Sequence, residues 1–215
     1  MDLITITDPR SPVSEAYRAL RTNLSFYSLD NPVRSLVVAA SAADDGAAET
    51  AANLAVTMAQ GGHKTILVDC DLRRPSLHTF FDLPSEPGFT SMLVTDGEGV
   101  GLMETAVSNL QLLPSGPIPP NPADLLGSRR VDEIITKLAY EAEIVIFSAP
   151  PVMAVTDSVV LGAKVDGVLL VIQAGKTRRE HAERAKETLA KANVRIIGAT
   201  LTNAPKDGSV NSYYS

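Results

Sequence analysis

The sequence has no tryptophan and one cysteine, Cys70. A lone thiol excludes an intramolecular disulfide framework and a cysteine-rich zinc site, and it fits a reducing compartment. Long apolar runs are missing as well. The longest, Leu36–Ala40 and Val168–Ile172, are strand-sized, far short of the roughly 18 residues of a membrane-crossing helix. Met1–Thr7 carries Asp2 and no basic residue, which is not the charge pattern of a secretory leader. The expectation is a cytoplasmic protein with no direct membrane insertion. Positive charge is in deficit: 19 Lys+Arg face 25 Asp+Glu, a formal charge of −6, which argues against nucleic acid as the main partner. His63, His78 and His181 lack ligand spacing, so no metal is assigned to them.

What is present is the composition of a globular domain, with 45% apolar and 20% charged residues. The length of 215 residues suits one α/β domain. Short β-branched runs bounded by Gly, Pro or Asp predict strands over Ser35–Ala40, Thr65–Asp69, Leu110–Leu113, Glu143–Phe147, Val168–Ile172 and Arg195–Leu201. They are continuously apolar, as strands buried on both faces must be. Helical patterns lie between them, over Ser14–Phe26, Ala47–Gln60, Asp124–Tyr140 and Thr177–Ala192. Ser14 is read as the first helix's cap, and Gly61-Gly62 as the stop of the second. Alternating strands and helices predict a doubly wound, mostly parallel sheet with helices on both faces. The organisation expected is one domain over residues 1–204 and a flexible, tyrosine-bearing tail over 205–215. Pro114–Pro122 reads as a rigid surface loop.

In parallel α/β sheets ligands bind beyond the carboxyl ends of strands. Three such ends carry chemistry. Residues 36–55 run strand, tight loop, helix, a layout in which backbone N–H groups and a helix N-terminus hold anionic oxygens. Residues 66–75, I-L-V-D-C-D-L-R-R-P, place Asp69 and Asp71 two apart on an extended segment. Such a pair orients a metal-bound water or an attacking hydroxyl. The structural alternative is that Asp69 caps a turn while Asp71 pairs with Arg73 or Arg74. Residues 144–152 end in Pro150-Pro151, a rigid loop at the same edge. Gly175-Lys176-Thr177 imitates the end of a phosphate loop, but the position five before Gly175 is Leu170, inside a strand. Thr177 is therefore read as a helix cap. Cys70, flanked by two acids, is read as unreactive.

Together these segments resemble the cytoplasmic domain of bacterial tyrosine kinases, the P-loop autokinases that regulate capsule and exopolysaccharide synthesis. The marks are S-P-V-S-E-A-Y-R-A-L-R-T-N-L at 11–24, the loop at 40–50, I-L-V-D-C-D-L-R-R-P at 66–75, S-G-P-I-P-P-N-P-A-D-L-L at 115–126 and A-P-P-V-M-A-V-T-D-S at 149–158. D-G-V-L-L-V at 166–171 and the tyrosine-bearing terminus complete them. The resemblance implies a P-loop NTPase fold like that of MinD and ParA, with ATP and Mg as cofactors. It also implies a homo-oligomer and a membrane activator protein of the polysaccharide co-polymerase type as partner, with recruitment to the inner face of the cell membrane. Asp69 and Asp71 take the retained catalytic positions, Asp69 with a role toward Mg. Asn203 takes an adenine-contacting position. Glu15, Arg18 and Arg21 form the ExxRxxR motif that joins subunits, three charges expected on one side of a helix. Tyr213 and Tyr214 are a short remnant of the autophosphorylated cluster.

The departures are concentrated in one place. The family's Pro-x-x-Gly-Lys-Ser-Thr loop falls on Ala43, Asp44, Asp45, Gly46, Ala47, Ala48 and Glu49. The phosphate-reaching Lys is Ala47, the Mg-holding hydroxyl is Ala48, and the next hydroxyl is Glu49, with Thr50 one position late. The Walker B acid corresponds to Ser148. The expectation is a family protein of exopolysaccharide biosynthesis with impaired ATP binding, serving as a regulatory or docking subunit. The alternatives are an active ATP-dependent protein-tyrosine autokinase and a partitioning-type ATPase relative.

Overall fold

The structure is a computed structural model and describes residues 3–30, 32–43, 45–94 and 101–204. Among the described residues seven strands form one sheet: β1 (Ser35–Ala40), β2 (Thr65–Asp69), β3 (Met103–Glu104), β4 (Leu110–Leu113), β5 (Ile144–Ala149), β6 (Gly167–Gln173) and β7 (Ile196–Thr202). Their order is β3-β4-β2-β5-β1-β6-β7. All pairings are parallel except the short antiparallel β3–β4 edge. The predicted strands are all present, with β5, β6 and β7 shifted by a residue or two at their ends.

Side chains alternate along each strand, and both faces are apolar. Val37, Ala39, Ile66, Val68, Val145 and Phe147 enter one buried cluster. Leu36, Val38, Leu67, Ile144 and Ile146 enter the other. Helices α2 (Pro12–Asp30) and α3 (Ala47–Gln60) contribute to the second cluster through Leu24, Ala51, Leu54, Ala55 and Met58. The opposite face is covered by α6 (Pro122–Gly127), α7 (Arg129–Glu141), α8 (Asp157–Gly162) and α9 (Arg179–Lys191), through Leu126, Ile134, Leu138, Leu161 and Leu189. The alanines of α3 suit its place against the sheet, since a helix with small side chains approaches closely. Its start at Gly46, with φ +81°, and its stop at Gly61-Gly62, with φ +92° at Gly62, match the sequence reading.

Several local expectations are corrected. The cap of α2 is Ser11, not Ser14: the Ser11 hydroxyl accepts the N–H of Ser14 at 3.1 Å, and Pro12 opens the helix. Ser14 is buried and donates instead to the carbonyls of Asp8 (2.7 Å) and Ile4 (3.1 Å). The Asp124–Tyr140 helix is two helices, broken at Ser128, whose ψ of 152° is extended. Gly127-Ser128 is a weak helical pair, and Lys164 Nζ reaches the Ser128 carbonyl at 3.3 Å. Thr177 is not the cap of α9. Its hydroxyl accepts the Gln173 N–H at 2.9 Å, and Arg178 takes the cap position. Among the described residues, four short helices escape a periodicity reading, α1 (Ile4–Thr7), α4 (Leu77–Phe80), α5 (Phe89–Val94) and α8, as does the two-residue strand β3. Helix α1 is fixed to α3 by Thr5, whose N–H and hydroxyl both donate to Asn53 Oδ1 at 3.2 and 2.8 Å. The expected tail, 205–215, lies outside the described residues.

Phe147 is fully buried at the centre of the sheet, opposite Val37 of β1 on one side and Val68 of β2 on the other. Phe147→Ala is expected to cost about 3–5 kcal/mol, read as a fall in the urea midpoint with the slope unchanged. A loss below 1 kcal/mol would contradict this packing.

Candidate nucleotide site

The parallel sheet brings the ends of β1, β2 and β5 side by side. In register, Ala39 lies opposite Ala149, and Asp69 opposite Ser148. Residues 41–46 follow β1, residues 70–76 follow β2, and Pro150–Thr156 follow β5. The loops after β1 and β5 are tied together, the Val152 N–H donating to Ala40 O at 2.9 Å and the Met153 N–H to Ser41 O at 3.3 Å, and the Ser41 N–H donates to Val171 O of β6 at 2.9 Å.

Within the first loop Asp45 is buried. Its Oδ2 accepts the Ser41 hydroxyl at 3.0 Å and the Ala42 N–H at 3.1 Å. Its carbonyl accepts the Thr202 hydroxyl at 3.1 Å, so the last strand braces the first loop. Ala47 and Ala48 open α3 as partly buried methyl groups packed on the apolar layer. Glu49 is exposed in the first turn, while Thr50 is buried beneath it. The Tyr17 phenol lies near Thr50 and Asn53 and is pushed up, chiefly by burial and further by the Glu49 charge, with the polar Thr50 and Asn53 side chains opposing. Asp44 lies outside the described residues.

Asp69 ends β2 and is buried. Its Oδ2 accepts the N–H groups of Ser76 and Leu77, both at 2.9 Å, and its Oδ1 accepts that of Asp71 at 3.2 Å. Burial pushes its carboxyl up to about 7, with the Asp71 charge adding and the three N–H bonds opposing. Asp71 Oδ1 accepts the backbone N–H groups of Arg73 (3.3 Å) and Arg74 (3.0 Å). The expected pairing of Asp71 with a neighbouring guanidinium is therefore corrected. Arg73 reaches across to α8 and grips Asp157 with two bonds, Nε–Oδ2 at 2.9 Å and Nη2–Oδ1 at 3.1 Å. Asp157 is fully buried. It stands in the quoted A-P-P-V-M-A-V-T-D-S segment but drew no role from sequence, because its partner lies 84 residues away. Cys70 is buried, and burial with the two flanking acids pushes its thiol up, as expected of an inert thiol.

Ser148, expected from the sequence at the Walker B position, is buried, and its carbonyl accepts the Cys70 N–H at 2.8 Å. Asn203 follows Thr202 at φ +52°, exposed, with Nδ2 donating to Ala174 O at 3.3 Å. The structure thus groups Asp45, Gly46, Ala47, Ala48, Glu49, Asp69, Asp71 and Ser148 at one edge, with Asn203 joined through Thr202. Glu15, Arg18 and Arg21 stand apart on α2. Arg18 pairs with Glu15 at 2.6 Å, but Arg21 turns inward to the Thr57 carbonyl at 2.8 Å, near the end of α3. The expected single charged face is divided. Tyr213 and Tyr214 lie outside the described residues. No group of three or more acidic, histidine or cysteine side chains suited to a metal occurs among the described residues.

No family model matches the chain. The tyrosine-protein kinase YwqD of Bacillus subtilis is 44% identical over 209 residues, covering 93% of this chain and 85% of that protein. The chain belongs to the bacterial tyrosine-protein kinase family. Solved structures share the fold. The chimerical protein CapA2B2 superposes with a TM-score of 0.88 at 34% identity, covering 95% of this chain and 90% of that one. The kinase domain of the Escherichia coli tyrosine kinase ETK gives 0.91 at 28%, covering 97% and 82%. The MinD cell-division ATPase of Pyrococcus furiosus, at 20% identity and a TM-score of 0.66 over 78% of this chain and 71% of that one, shares the P-loop NTPase fold.

At the start of α3 stand the methyl groups of Ala47 and Ala48, and the Asp45 carboxylate accepts the Ala42 N–H of the same loop.

The buried Asp69 gives a pH prediction. Its carboxyl rises from an ordinary 3.8 to about 7 in the fold. The native state therefore keeps a proton that the unfolded chain has lost, and its contribution is full below about pH 4 and lost as pH rises through about 7. The urea midpoint is expected to carry this fall. Asp69→Asn, uncharged throughout, loses that share of the slope; identical slopes in the two proteins would rule it out.

Proposed function

We propose that this chain serves exopolysaccharide or capsule biosynthesis as a regulatory or docking subunit with impaired ATP binding. The observation that carries the reading is the start of α3. Ala47 and Ala48 pack as methyl groups on the apolar layer, and the buried Asp45 carboxylate takes the Ala42 N–H and the Ser41 hydroxyl. Phosphate loops work by offering N–H groups and a lysine to anionic oxygens. Here the lysine is gone, and Glu49 adds a like charge. One unit charge pair about 5 Å apart, at an effective dielectric near 20, is worth roughly 3 kcal/mol. Reversing its sign removes several powers of ten in affinity. The Asp69 carboxylate is committed to three backbone N–H groups, which supports a structural role for it in this chain.

Partners follow from the same reading. The chain assembles with copies of itself through α2 and meets a membrane activator protein, which recruits it to the inner face of the membrane. No helix among the described residues is long and apolar enough to cross a membrane. Tyr213 and Tyr214 are the proposed phosphorylation sites, modified in trans by an active relative. The second reading, an active autokinase, is favoured by one observation: Asp69 ends β2 and Asp71 follows it, at the sheet edge where the strands β1, β2 and β5 end. The partitioning-type reading draws on likeness of fold alone.

Calorimetry with Mg-ATP decides between the first two. No heat of binding is expected at millimolar nucleotide, and micromolar affinity would overturn the impaired site. Ala47→Lys combined with Ala48→Ser and Glu49→Thr is expected to raise affinity at least a hundredfold.

A further inference from the structure

A folded chain closes over its apolar side chains and leaves few voids larger than a water molecule. One part of this chain stays open. A cavity of about 300 Å³ lies at the amino ends of β1 and β5, at the opposite end of the sheet from the candidate nucleotide edge. Leu24, Val33, Leu36, Met58 and Ile144, all buried, form its apolar walls. The walls are fixed from outside. Arg21 ties α2 to the Thr57 carbonyl of α3 at 2.8 Å. Arg195 Nε, just before β7, donates to the Tyr27 hydroxyl at 3.0 Å. The Val33 N–H donates to Ser28 Oγ at 3.1 Å and pins the turn between α2 and β1. Held at these points, the end of α2 is kept from settling onto the sheet, and the cavity is formed before any ligand arrives.

The polar groups that line it are of one kind. The Ser25 hydroxyl is spent on the Arg21 carbonyl at 3.0 Å, and Ser28 is met by the Val33 N–H. That leaves His63 and Glu143, which pair through Nδ1 and Oε2 at 2.9 Å and keep 43% and 61% of their side-chain surface exposed. The bond to His63 holds the Glu143 carboxyl below its ordinary value, so the group is a carboxylate and only accepts. The hydrogen between the two therefore sits on His63 Nδ1, and the neutral ring offers Nε2 as a second acceptor. An apolar cavity whose polar side is negatively charged and made of acceptors selects an apolar body with a cationic donor head.

We infer that this cavity is a binding site for a small amphiphilic amine, with its apolar body between α2, α3 and the starts of β1 and β5, and its ammonium group on the Glu143 carboxylate and His63 Nε2. At about 30 Å³ per atom the volume takes roughly ten non-hydrogen atoms, the size of an arylalkylamine. The site is independent of what the nucleotide edge binds.

Calorimetry and amide-resolved NMR of the full chain with 2-phenylethylamine, in mildly alkaline buffer, test it. Saturable binding with a dissociation constant of about 1 mM is expected, an ordinary efficiency for a molecule this small. The amide signals of Leu29, Val33 and Met58 are expected to move with the same midpoint. 3-Phenylpropanoate, with the same body and an anionic head, is expected to bind at least tenfold more weakly. Ser25→Phe places a ring at the cavity from an exposed position of α2. Its melting temperature is expected to hold within a few degrees while amine binding falls at least tenfold. Glu143→Gln, also at an exposed side chain, is expected to weaken the amine at least fivefold and to leave the uncharged 2-phenylethanol within twofold. No saturable binding of the amine at about 20 mM would overturn the site. So would amine binding unchanged in Ser25→Phe, since the amine would then lie elsewhere. Phenylpropanoate binding as tightly as the amine, or an amine indifferent to Glu143→Gln, would overturn the ammonium head and with it the ligand class.

Discussion

A parallel sheet with two apolar faces needs cover on both sides, and each connection must cross from the end of one strand to the start of the next. That requirement sets the rest of the molecule. It places α2 and α3 on one face and α6 to α9 on the other. It also sends the loops after β1, β2 and β5 to one edge, because strands that share a direction share an exit. The site is therefore a product of topology first. Side-chain chemistry then decides what the shared edge does.

At that edge the backbone donors are largely met from within the chain. Asp69 gathers three N–H groups of the loop that follows it. Asp71 gathers two more, and Arg73 crosses to the buried Asp157. Asp45 does the same in the loop after β1. A buried charge is tolerated only where such partners compensate it. The fold is shared with the tyrosine-kinase relatives, and the proposed loss of nucleotide binding rests on the methyls and acids that this chain places at the edge.

Much of this was legible in the sequence, for stated reasons. Continuous apolar runs mark strands buried on both faces, and every such run became a strand of the sheet. The span of α3 was readable because glycines bracket it. The paired acids at 69 and 71 were readable because they end a strand. The structural alternative for Asp69 also came true in kind, as a turn-capping acceptor. What was not legible depends on contacts distant in sequence. Arg73 had Asp71 two residues away and pairs instead with Asp157, 84 residues away. Ser11 and Ser14 were equally good caps by type, and only packing on α1 separated them. The inward turn of Arg21 depends on where α3 ends in space, which helical spacing alone does not contain.

One small contact has a kinetic meaning. The Thr202 hydroxyl and the Asp45 carbonyl are 157 residues apart along the chain. Closing so long a loop is entropically costly, and contacts of high sequence separation form late. The brace cannot exist until β7 has joined β6 at the far edge. The loop after β1 is built early in the chain, yet it acquires its final support only when the last strand is laid down. Anything that reads the shape of this loop therefore reads whether the whole chain has finished folding.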